Sequence, residues 1–567
     1  MRSHQQRKAP HGAFFVSARA WLLLCALFLL SPVQAGGPPA VASAHPQATE
    51  AGLEILAEGG NAFDAAVAVS AALAVVEPYS SGLGGGGFWL LDQKASDRQV
   101  MVDGRETAPG QATPTMYQDA SGEVIPEASI DGPLAAGIPG MPAALVHLSR
   151  EYGALNLSRS LEPAIRLARE GFAVDEHYRR MARFRLEALR ASPEAAQAFL
   201  VGGEVPEAGH IIRQPELAET LERIASQGRA GFYEGPVAKR LVDGVREAGG
   251  IWTRQDLADY RVVEREPIRF DYHDMEVVSA APPSSGGVAL AEMFHILEGF
   301  ELESLDEAER VHLVVEAMRR AYRDRAEHLG DPDFHPVPVK RLTDPAYAAG
   351  LRASIRRDQA TPSSVLPGVT GAGGGRDTTH FSILDAEGNR VAATLSINYP
   401  FGSAFMPPGT GVLLNDEMDD FSAKPGVPNV YGLVGGQANA IRPGKRMLSS
   451  MSPTFLEKDG RMAVIGTPGG SRIITMVLLG SLAFHEGADA RAIVGRPRFH
   501  HQYLPDVIEL EPGALADDSR DELTLMGHQL EESGRTWGNM QVITGGPEGV
   551  SAASDPRGVG AARVGPH

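Results

Sequence analysis

The sequence predicts a mixed α and β fold with many turns, and three observations carry that expectation. Gly at 64 and Pro at 40 among 567 residues are too many for a helical bundle and fit a chain broken often by turns. Helical runs such as DAAVAVSAALAVV, MPAALVHLSREYG and PELAETLERIASQG fill the first half. Later, THFSILD and RVAATLSIN are apolar runs rich in β-formers, joined by AEGN as in a hairpin. With 43% hydrophobic residues the chain can bury a large core, and its length corresponds to roughly two to four domain-sized units.

The first segment stands apart. Arg2, Arg7, Lys8 and Arg19 give a basic start, residues 21–30 (WLLLCALFLL) are a short apolar run, and Val33, Gln34 and Ala35 form a small-residue cleavage site. This is the layout of a secretory signal peptide over 1–35. The run is too short to cross a bilayer, which takes roughly 20 apolar residues. Cys25, the only cysteine, lies within it, so the mature chain is expected to have no disulfide, no thiol nucleophile and no cysteine-bound metal. Loss of the four basic residues takes the formal net charge from −19 to −23, which argues against nucleic acid or an anionic membrane as partner. The expected location is outside the cytoplasm, in the periplasm.

From there the elements follow in order. Residues 46–76 read as two helices, the first ended by Gly59 and Gly60. SSGLGGGGFWLLD is a Gly-rich loop opening into a strand, with residues 100–103 as its partner. Residues 141–246 look mainly helical, 261–280 β-rich, and 288–329 helical again. Residues 357–377 (RDQATPSSVLPGVTGAGGGRD) carry no periodicity and read as an exposed flexible linker. The most loop-like stretch of the chain thus abuts a buried strand at Asp377-Thr378.

That junction has a chemical reading. A Thr opening a core strand is ordinarily a β-former. Freed by a cut before it, Thr378 would carry a hydroxyl and an α-amine. An α-amine has a pKa of about 7.7–8.0, so it serves as a general base near neutral pH. A Thr hydroxyl paired with its own N-terminal amine is an established activated nucleophile. Acyl transfer also needs donors for the oxyanion. Gly469 and Gly470, in GTPGGS between the strand MAVI and a helical run, offer backbone N–H groups at a strand-to-helix turn; the plainer reading is a turn with Ser471 as N-cap. Downstream lie polar groups suited to an amino acid: Asn398, Glu417 and Asp420 as acceptors for an α-ammonium, and Ser449, Ser450 and an Arg as donors to an α-carboxylate. Two patterns are set aside. The GLGGGG run from Gly82 fits a dinucleotide fingerprint, but a strand follows it where a helix is required. His500-His501 lacks further ligands at helical spacing and reads as packing or surface histidines. No cofactor or metal is expected.

Read together, EPYSSGLGGGGFWLLD, DGRETAP, APPSSGG, DTTHFSILDAEGNRVAATLSIN, LLNDEMDDFSAKPGVPNVYGLVGG, RPGKRMLSSMSPT, GTPGGSRIIT and PRFHHQ resemble the gamma-glutamyltranspeptidase family over about residues 44–558. The resemblance implies an α+β N-terminal-nucleophile hydrolase fold, a four-layer αββα sandwich. It implies self-cleavage between Asp377 and Thr378 into a large chain 36–377 and a small chain 378–567 that remain associated as a heterodimer. In family terms Thr378 is the nucleophile, Gly469 and Gly470 the oxyanion hole, and Ser396 stands where a Thr or Ser sits near the nucleophile. Arg105, Ser449 and Ser450 bind the substrate α-carboxylate; Asn398, Glu417 and Asp420 bind its α-amino group; Tyr431 is a lid. The substrate implied is glutathione or another gamma-glutamyl compound, with water, an amino acid or a peptide as acceptor. Tyr399-Pro400-Phe401 after Asn398 also resembles related cephalosporin acylases, so a glutaryl-type acylase is the rival enzymatic expectation. A binding protein that stays a single chain is the non-enzymatic one.

Overall fold

The structure, a computed structural model, describes residues 37–366 and 378–566. The expected signal segment, Asp377 and residues 367–377 of the expected linker lie outside the described residues.

In chain order, strand β1 (Ala40–Ser43) is followed by helices α1 (Pro46–Ala57) and α2 (Ala62–Val76), then by strands β2 (Gly86–Gln93) and β3 (Arg98–Asp103). A helical stretch contains α3 (Met141–Glu151), α4 (Leu157–Glu170) and α5 (Glu176–Phe184). Strands β4 (Val263–Arg265), β5 (Ile268–Tyr272) and β6 (Met275–Ser279) lead to helices α6 (Gly286–Leu297) and α7 (Glu307–His328). After Thr378 come β7 (Thr379–Leu384), β8 (Arg390–Ser396), β9 (Thr454–Lys458) and β10 (Arg461–Gly466). Helix α8 (Ile473–His485) and strands β11 (Gln541–Gly546), β12 (Gly549–Ser554) and β13 (Ala561–Val564) follow.

Two sheets result. One runs β13-β1-β7-β8-β2-β3-β4 and the other β12-β11-β10-β9-β6-β5. The period-2 alternation of β2 divides the interior: Trp89 and Leu91 join α2, α3 and α4 in one core, while Phe88 and Leu90 join the second sheet in another. Helices α6, α7 and α8 cover the far side of the second sheet. The order is helices, sheet, sheet, helices, the αββα sandwich expected of this sequence. Helices α2 and α6 are apolar or small nearly all round and are buried along their whole length. Asn61 caps α2 in a reciprocal capping box with Asp64.

Residues 357–366 differ from the expected flexible linker. Thr361 N–H donates to Glu316 Oε1 at 2.9 Å, Ser363 N–H to Asp506 Oδ2 at 2.7 Å, and Ala360 N–H to the Met526 carbonyl at 2.8 Å. Arg319 Nη1 donates to Ser363 Oγ at 2.6 Å and pairs with Asp506. Composition marks a segment without its own periodicity; it does not reveal a groove built elsewhere in the chain that satisfies its backbone.

Between the sheets a polar seam replaces hydrocarbon. His380 Nδ1 lies 2.9 Å from Thr394 Oγ1, and Ser382 Oγ donates to the carbonyls of Val464 and Gln541 in the opposite sheet at 3.2 and 3.1 Å. Gly466 makes room for the ring: a Cβ there would sit 2.2 Å from His380 Cε1. Burial pushes the His380 pKa down to about 3. An unfolded His titrates near 6.5. Between these values the unfolded chain binds a proton that the folded chain refuses, so this contribution is complete above about pH 6.5 and is lost as pH falls toward 3. Replacing His380 with Gln is expected to flatten the pH dependence of unfolding free energy by about 1.4 kcal/mol per pH unit in that window. Urea unfolding of both proteins at pH 7, 6 and 5 measures it, and parallel pH profiles would refute it.

Candidate active site

The hairpin of β7 and β8 sets the first edge of the site. Its register pairs Leu395 with Thr379, which puts Ser396 opposite Thr378 at the open end. Ser396 Oγ accepts the Asn398 N–H at 2.7 Å and hydrogen-bonds Glu417. The chain then turns with Asn398 at φ +74, a left-handed conformation that Asn tolerates better than most residues. The Asn398 amide Nδ2 donates to the Asp416 carbonyl at 3.1 Å, which leaves its oxygen for the cavity.

Arg105 forms the floor. It follows β3, its N–H donating to Asp103 Oδ1 at 3.0 Å and its carbonyl accepting from Tyr260 Oη at 2.8 Å. The side chain is fully buried. Nη2 pairs with Asp420 Oδ2. Nη1 lies 3.0 Å from Glu417 Oε1 without hydrogen-bond alignment, so that contact is coulombic, and 3.9 Å from Glu106 Oε2. Burial alone would lower the guanidinium pKa; Glu417, Asp420 and Glu106 outweigh it and raise it. Burial drives the acids the other way. Glu417 is pushed up to about 7, by burial and by Asp420 against the pull of Arg105. Asp420 is raised by burial, and Glu106 well above the usual range by burial and the charge of Glu417.

Three carboxyl groups therefore surround one guanidinium. A second buried guanidinium stands nearby: Arg325 on α7 donates from Nη2 to Ser450 Oγ and from Nε to Ser285 Oγ, both at 3.0 Å. Among the described residues no carboxylate lies within ion-pair distance of it, and burial lowers its pKa.

The turn before α8 closes the opposite side. Gly469 has φ +144 and Gly470 φ +56, backbone that favours glycine. Among the described residues no hydrogen bond is made by either N–H. The helix itself begins at Ile473, and Ser471 Oγ caps nothing, so the plain reading of a Ser-capped turn does not apply. Tyr431 lies across the turn. Its hydroxyl donates to the Asn398 carbonyl at 2.7 Å, and a Cβ on Gly470 would come within 2.4 Å of its ring.

Thr378 is buried at the meeting point of two cavities. One is lined by Arg105, Ser396, Asn398, Glu417, Asp420, Tyr431, Ser449, Ser450 and Gly470, and holds about 20 Å³, room for roughly one water. The other, of about 290 Å³, is lined on its near side by Pro468 and Gly469. Every site residue expected from the sequence within the described part of the chain thus borders one of these two cavities. Sequence reading missed Arg325 and Glu106. It also missed Asn415, whose Oδ1 accepts the N–H groups of Gly137 and Glu417 at 2.9 and 3.0 Å and so fixes the acidic loop. Glu106 adjoins Arg105 in DGRETAP and was legible as its neighbour; Arg325 sits in an ordinary charged stretch of helix with no local signal. His500 and His501 are both buried, bonded to Thr475 and Asp506 at 2.8 and 3.2 Å, so they pack rather than face solvent.

A threonine leading an inner strand of an αββα sandwich, beside two glycine N–H groups with no partner among the described residues, defines the class of N-terminal-nucleophile hydrolases. Within that class the chain belongs to the gamma-glutamyltranspeptidase family: the model for "Gamma-glutamyltranspeptidase" matches residues 48–565. The chain is 45% identical over 524 residues to the glutathione hydrolase proenzyme of Pseudomonas sp. (strain A14), covering 90% of each. It is 42% identical over 528 residues to the glutathione hydrolase proenzyme of Escherichia coli (strain K12), covering 92% of this chain and 90% of that one. Among solved structures, a cephalosporin acylase from Bacillus halodurans superposes with a TM-score of 0.82 at 27% identity, covering 99% of each chain.

The glycine turn yields a direct test. Gly470→Ala meets both the left-handed backbone and the Tyr431 ring. If Gly470 N–H serves as the oxyanion donor proposed below, displacing it is expected to lower kcat by about 10²–10³, with the circular dichroism of the folded protein retained. An alanine variant of near wild-type kcat would show that the turn plays no part in turnover.

Proposed function

We propose that this protein is a gamma-glutamyl amide hydrolase and transferase acting on glutathione or related compounds, formed by self-cleavage between Asp377 and Thr378. The charge balance of the closed pocket carries the reading. Glu417, Asp420 and Glu106 face one buried Arg105, with Arg325 behind Ser450. A gamma-glutamyl group brings one ammonium and one carboxylate. Its ammonium meets Glu417, Asp420 and the amide oxygen of Asn398. Its carboxylate takes the Arg105 fork with Ser449 and Ser450, and Arg325 adds charge through Ser450. The pocket holds about one water as it stands, so the Tyr431 lid must move to admit the substrate.

In self-cleavage, Thr378 Oγ attacks the Asp377 carbonyl carbon. The C–N bond breaks as the nitrogen takes a proton, and water then hydrolyses the ester, leaving the Asp377 carboxylate and a free Thr378 amine. In turnover that amine takes the hydroxyl proton as Oγ attacks the γ-amide carbonyl, and passes it to the leaving amine. Gly469 and Gly470 N–H groups hold the oxyanion, and Ser396 orients the nucleophile from across the hairpin. Water or an amine acceptor releases the acyl-Thr378 ester. The large chain 36–377 and the small chain 378–567 remain together as a heterodimer, since β1 and β2 of the first pair with β13, β7 and β8 of the second. The relatives named as proenzymes support this reading. The signal segment supports a periplasmic location. Among the described residues no helix is long and apolar enough to cross a membrane.

The acylase reading draws on the likeness to the Bacillus halodurans cephalosporin acylase. A glutaryl group carries a carboxylate and no ammonium, so it would add a fourth acid to three already crowding Arg105. The gamma-glutamyl reading relieves that excess.

On a denaturing gel the purified protein is expected to show two fragments, with Thr378 the new N-terminus of the smaller. Thr378→Ala should remain one inactive band; efficient processing of that variant, or a lasting single band in the wild type, would overturn the mechanism. A gamma-glutamyl anilide should be cleaved at least tenfold faster than its glutaryl counterpart, equivalent to about 1.4 kcal/mol of ammonium recognition. Arg325→Gln should raise KM for the gamma-glutamyl anilide about fivefold or more with a smaller change in kcat, as loss of a buried charge acting through Ser450; an unchanged KM would remove Arg325 from binding.

A further inference from the structure

Residues 422–440 follow the acidic loop and carry Tyr431. Their tip and their foot are held by different chemistry. The tip rests on the site through neutral donors. Tyr431 Oη donates to the Asn398 carbonyl at 2.7 Å, Asn429 Nδ2 to Asp420 Oδ1 at 3.1 Å, and the Val430 N–H to Asp419 Oδ2 at 2.9 Å. On the proposed function Asp420 receives the substrate ammonium, so the Asn429 contact is one that a ligand contests. The foot is tied by a charge. Lys445 is buried, and its Nζ donates to the carbonyls of Ala438 and Ala440 at 2.7 and 2.9 Å. It also lies 5.9 Å from the centre of the Phe421 ring, where the segment begins. Among the described residues no carboxylate lies within 4.0 Å of it. Burial brings its pKa down to about 8, with Asp331 acting against the fall and Arg442 adding to it, so it is charged at neutral pH. A buried ammonium with no carboxylate beside it is costly, and an apolar side chain of the same length would fill the space without that cost. What the charge adds is two strong, directional bonds to one short stretch of backbone.

Between the two carbonyls that Lys445 holds lies Asn439, which crosses the neck of the segment. Its carbonyl accepts the Ser422 N–H at 3.0 Å, its Nδ2 donates to the Asp420 carbonyl at 2.7 Å, and its Oδ1 accepts the Leu448 N–H at 3.0 Å. Lys445 is in turn clamped to the stretch that follows Arg105. The Ala108 N–H donates to the Lys445 carbonyl at 2.8 Å, and the Gly444 N–H to the Ala108 carbonyl at 2.9 Å. The three pieces of chain that carry Arg105, Asp420 and Ser449 thus meet at Lys445 and Asn439. Lys445 belongs to RPGKRMLSSMSPT, of which the proposed function uses only the two serines.

We infer that Lys445 is a positioning residue for the acyl pocket: its ammonium fixes the foot of the lid, so that the lid swings from residues 422 and 440 while Asp420 and Ser449 keep their places about Arg105. The inference rests on the gamma-glutamyl reading and on the movement of the Tyr431 lid which that reading requires. Without the charge, Ala438 and Ala440 lose their donor and Asn439 loses its support, so opening at the tip spreads into the acidic loop. Substrate then meets ammonium and carboxylate sites that are out of register. Thr378 and the glycine turn are not touched by these contacts, so the loss falls on binding and not on the chemical step.

The test compares the processed wild type with Lys445→Met and Lys445→Arg, reading turnover of a gamma-glutamyl anilide and hydrogen exchange of the lid amides. Lys445→Met keeps the length and loses the charge. It should raise KM about tenfold, the scale of one hydrogen bond from a charged donor, with kcat within about twofold. The Ser422 amide, protected by the Asn439 carbonyl, should exchange about tenfold faster while the β7 and β8 amides keep wild-type rates. Lys445→Arg should recover most of both losses. Should Lys445→Met not mature, Lys445→Gln, able to donate to one carbonyl, gives the same comparison. A wild-type KM with unchanged Ser422 exchange would overturn the inference. So would an equal loss of protection in β7 and β8, which would make Lys445 a general packing residue. A wild type that fails to cleave the anilide at all would instead overturn the gamma-glutamyl reading, while the exchange rates would still report on the foot of the lid, so the two failures are distinct.

Discussion

Arg105 is the charge on which the site depends. A guanidinium taken wholly out of water carries a desolvation cost of several kcal/mol unless charges and hydrogen bonds replace its hydration. Here the carboxylates of Asp420, Glu417 and Glu106 replace it, together with the Met447 and Leu448 carbonyls at 3.4 Å. Apart from the adjacent Glu106, these partners come from distant parts of the chain, so Arg105 ties the end of β3 to the acidic loop and to the segment that carries Ser449 and Ser450. Three acids exceed one guanidinium; burial raises the pKa of all three, and Asp420 adds to the rise at Glu417 and Glu417 to that at Glu106. Such a cluster is poorly balanced while empty and better balanced with an ammonium inside it, which is how a binding site differs from a structural ion pair.

The cluster closes only because backbone passes unusually near backbone. A Cβ on Gly84 would lie 2.0 Å from the Leu413 carbonyl oxygen, and one on Gly85 2.1 Å from that of Ser396. The glycine run that imitates a nucleotide loop thus has another purpose: it lets the acidic loop and the end of β8 press against the start of β2. Asn415 completes the junction by donating to the Gly84 and Gly137 carbonyls at 2.6 and 2.8 Å. Ser396, Asn398 and Glu417 are positioned by these crossings rather than by helix or strand propensity.

That division explains what could be read from the chain alone. The helices, the hairpin at Thr378 and the β2–β3 pair follow from periodicity and turn residues, which act locally. The family motifs name the residues around Thr378. Arg325 was invisible because its role depends on α7 lying beside Ser450, a relation set by tertiary packing. Residues 357–366 were read as free for the same reason: Arg319, Glu316 and Asp506, which hold them, lie in two other segments. The pairing of Arg105 with the acids expected to hold an ammonium was also beyond sequence, because motifs assign partners to a bound substrate and say nothing of how those groups satisfy one another without it.

The placement of Thr378 follows from the same architecture. A residue at the mouth of a central hairpin is rigid through the ladder below it, with β7 paired to both β1 and β8. It also has free space on either side, where the acidic loop and the glycine turn diverge. The nucleophile proposed at Thr378 gains from this placement, since one on a loop would not hold its hydroxyl in register with Ser396 and the glycine N–H groups. On the proposed function the narrow acidic cavity selects the acyl group by charge. Thr378 borders both cavities because the fold brings a pocket to it from each direction.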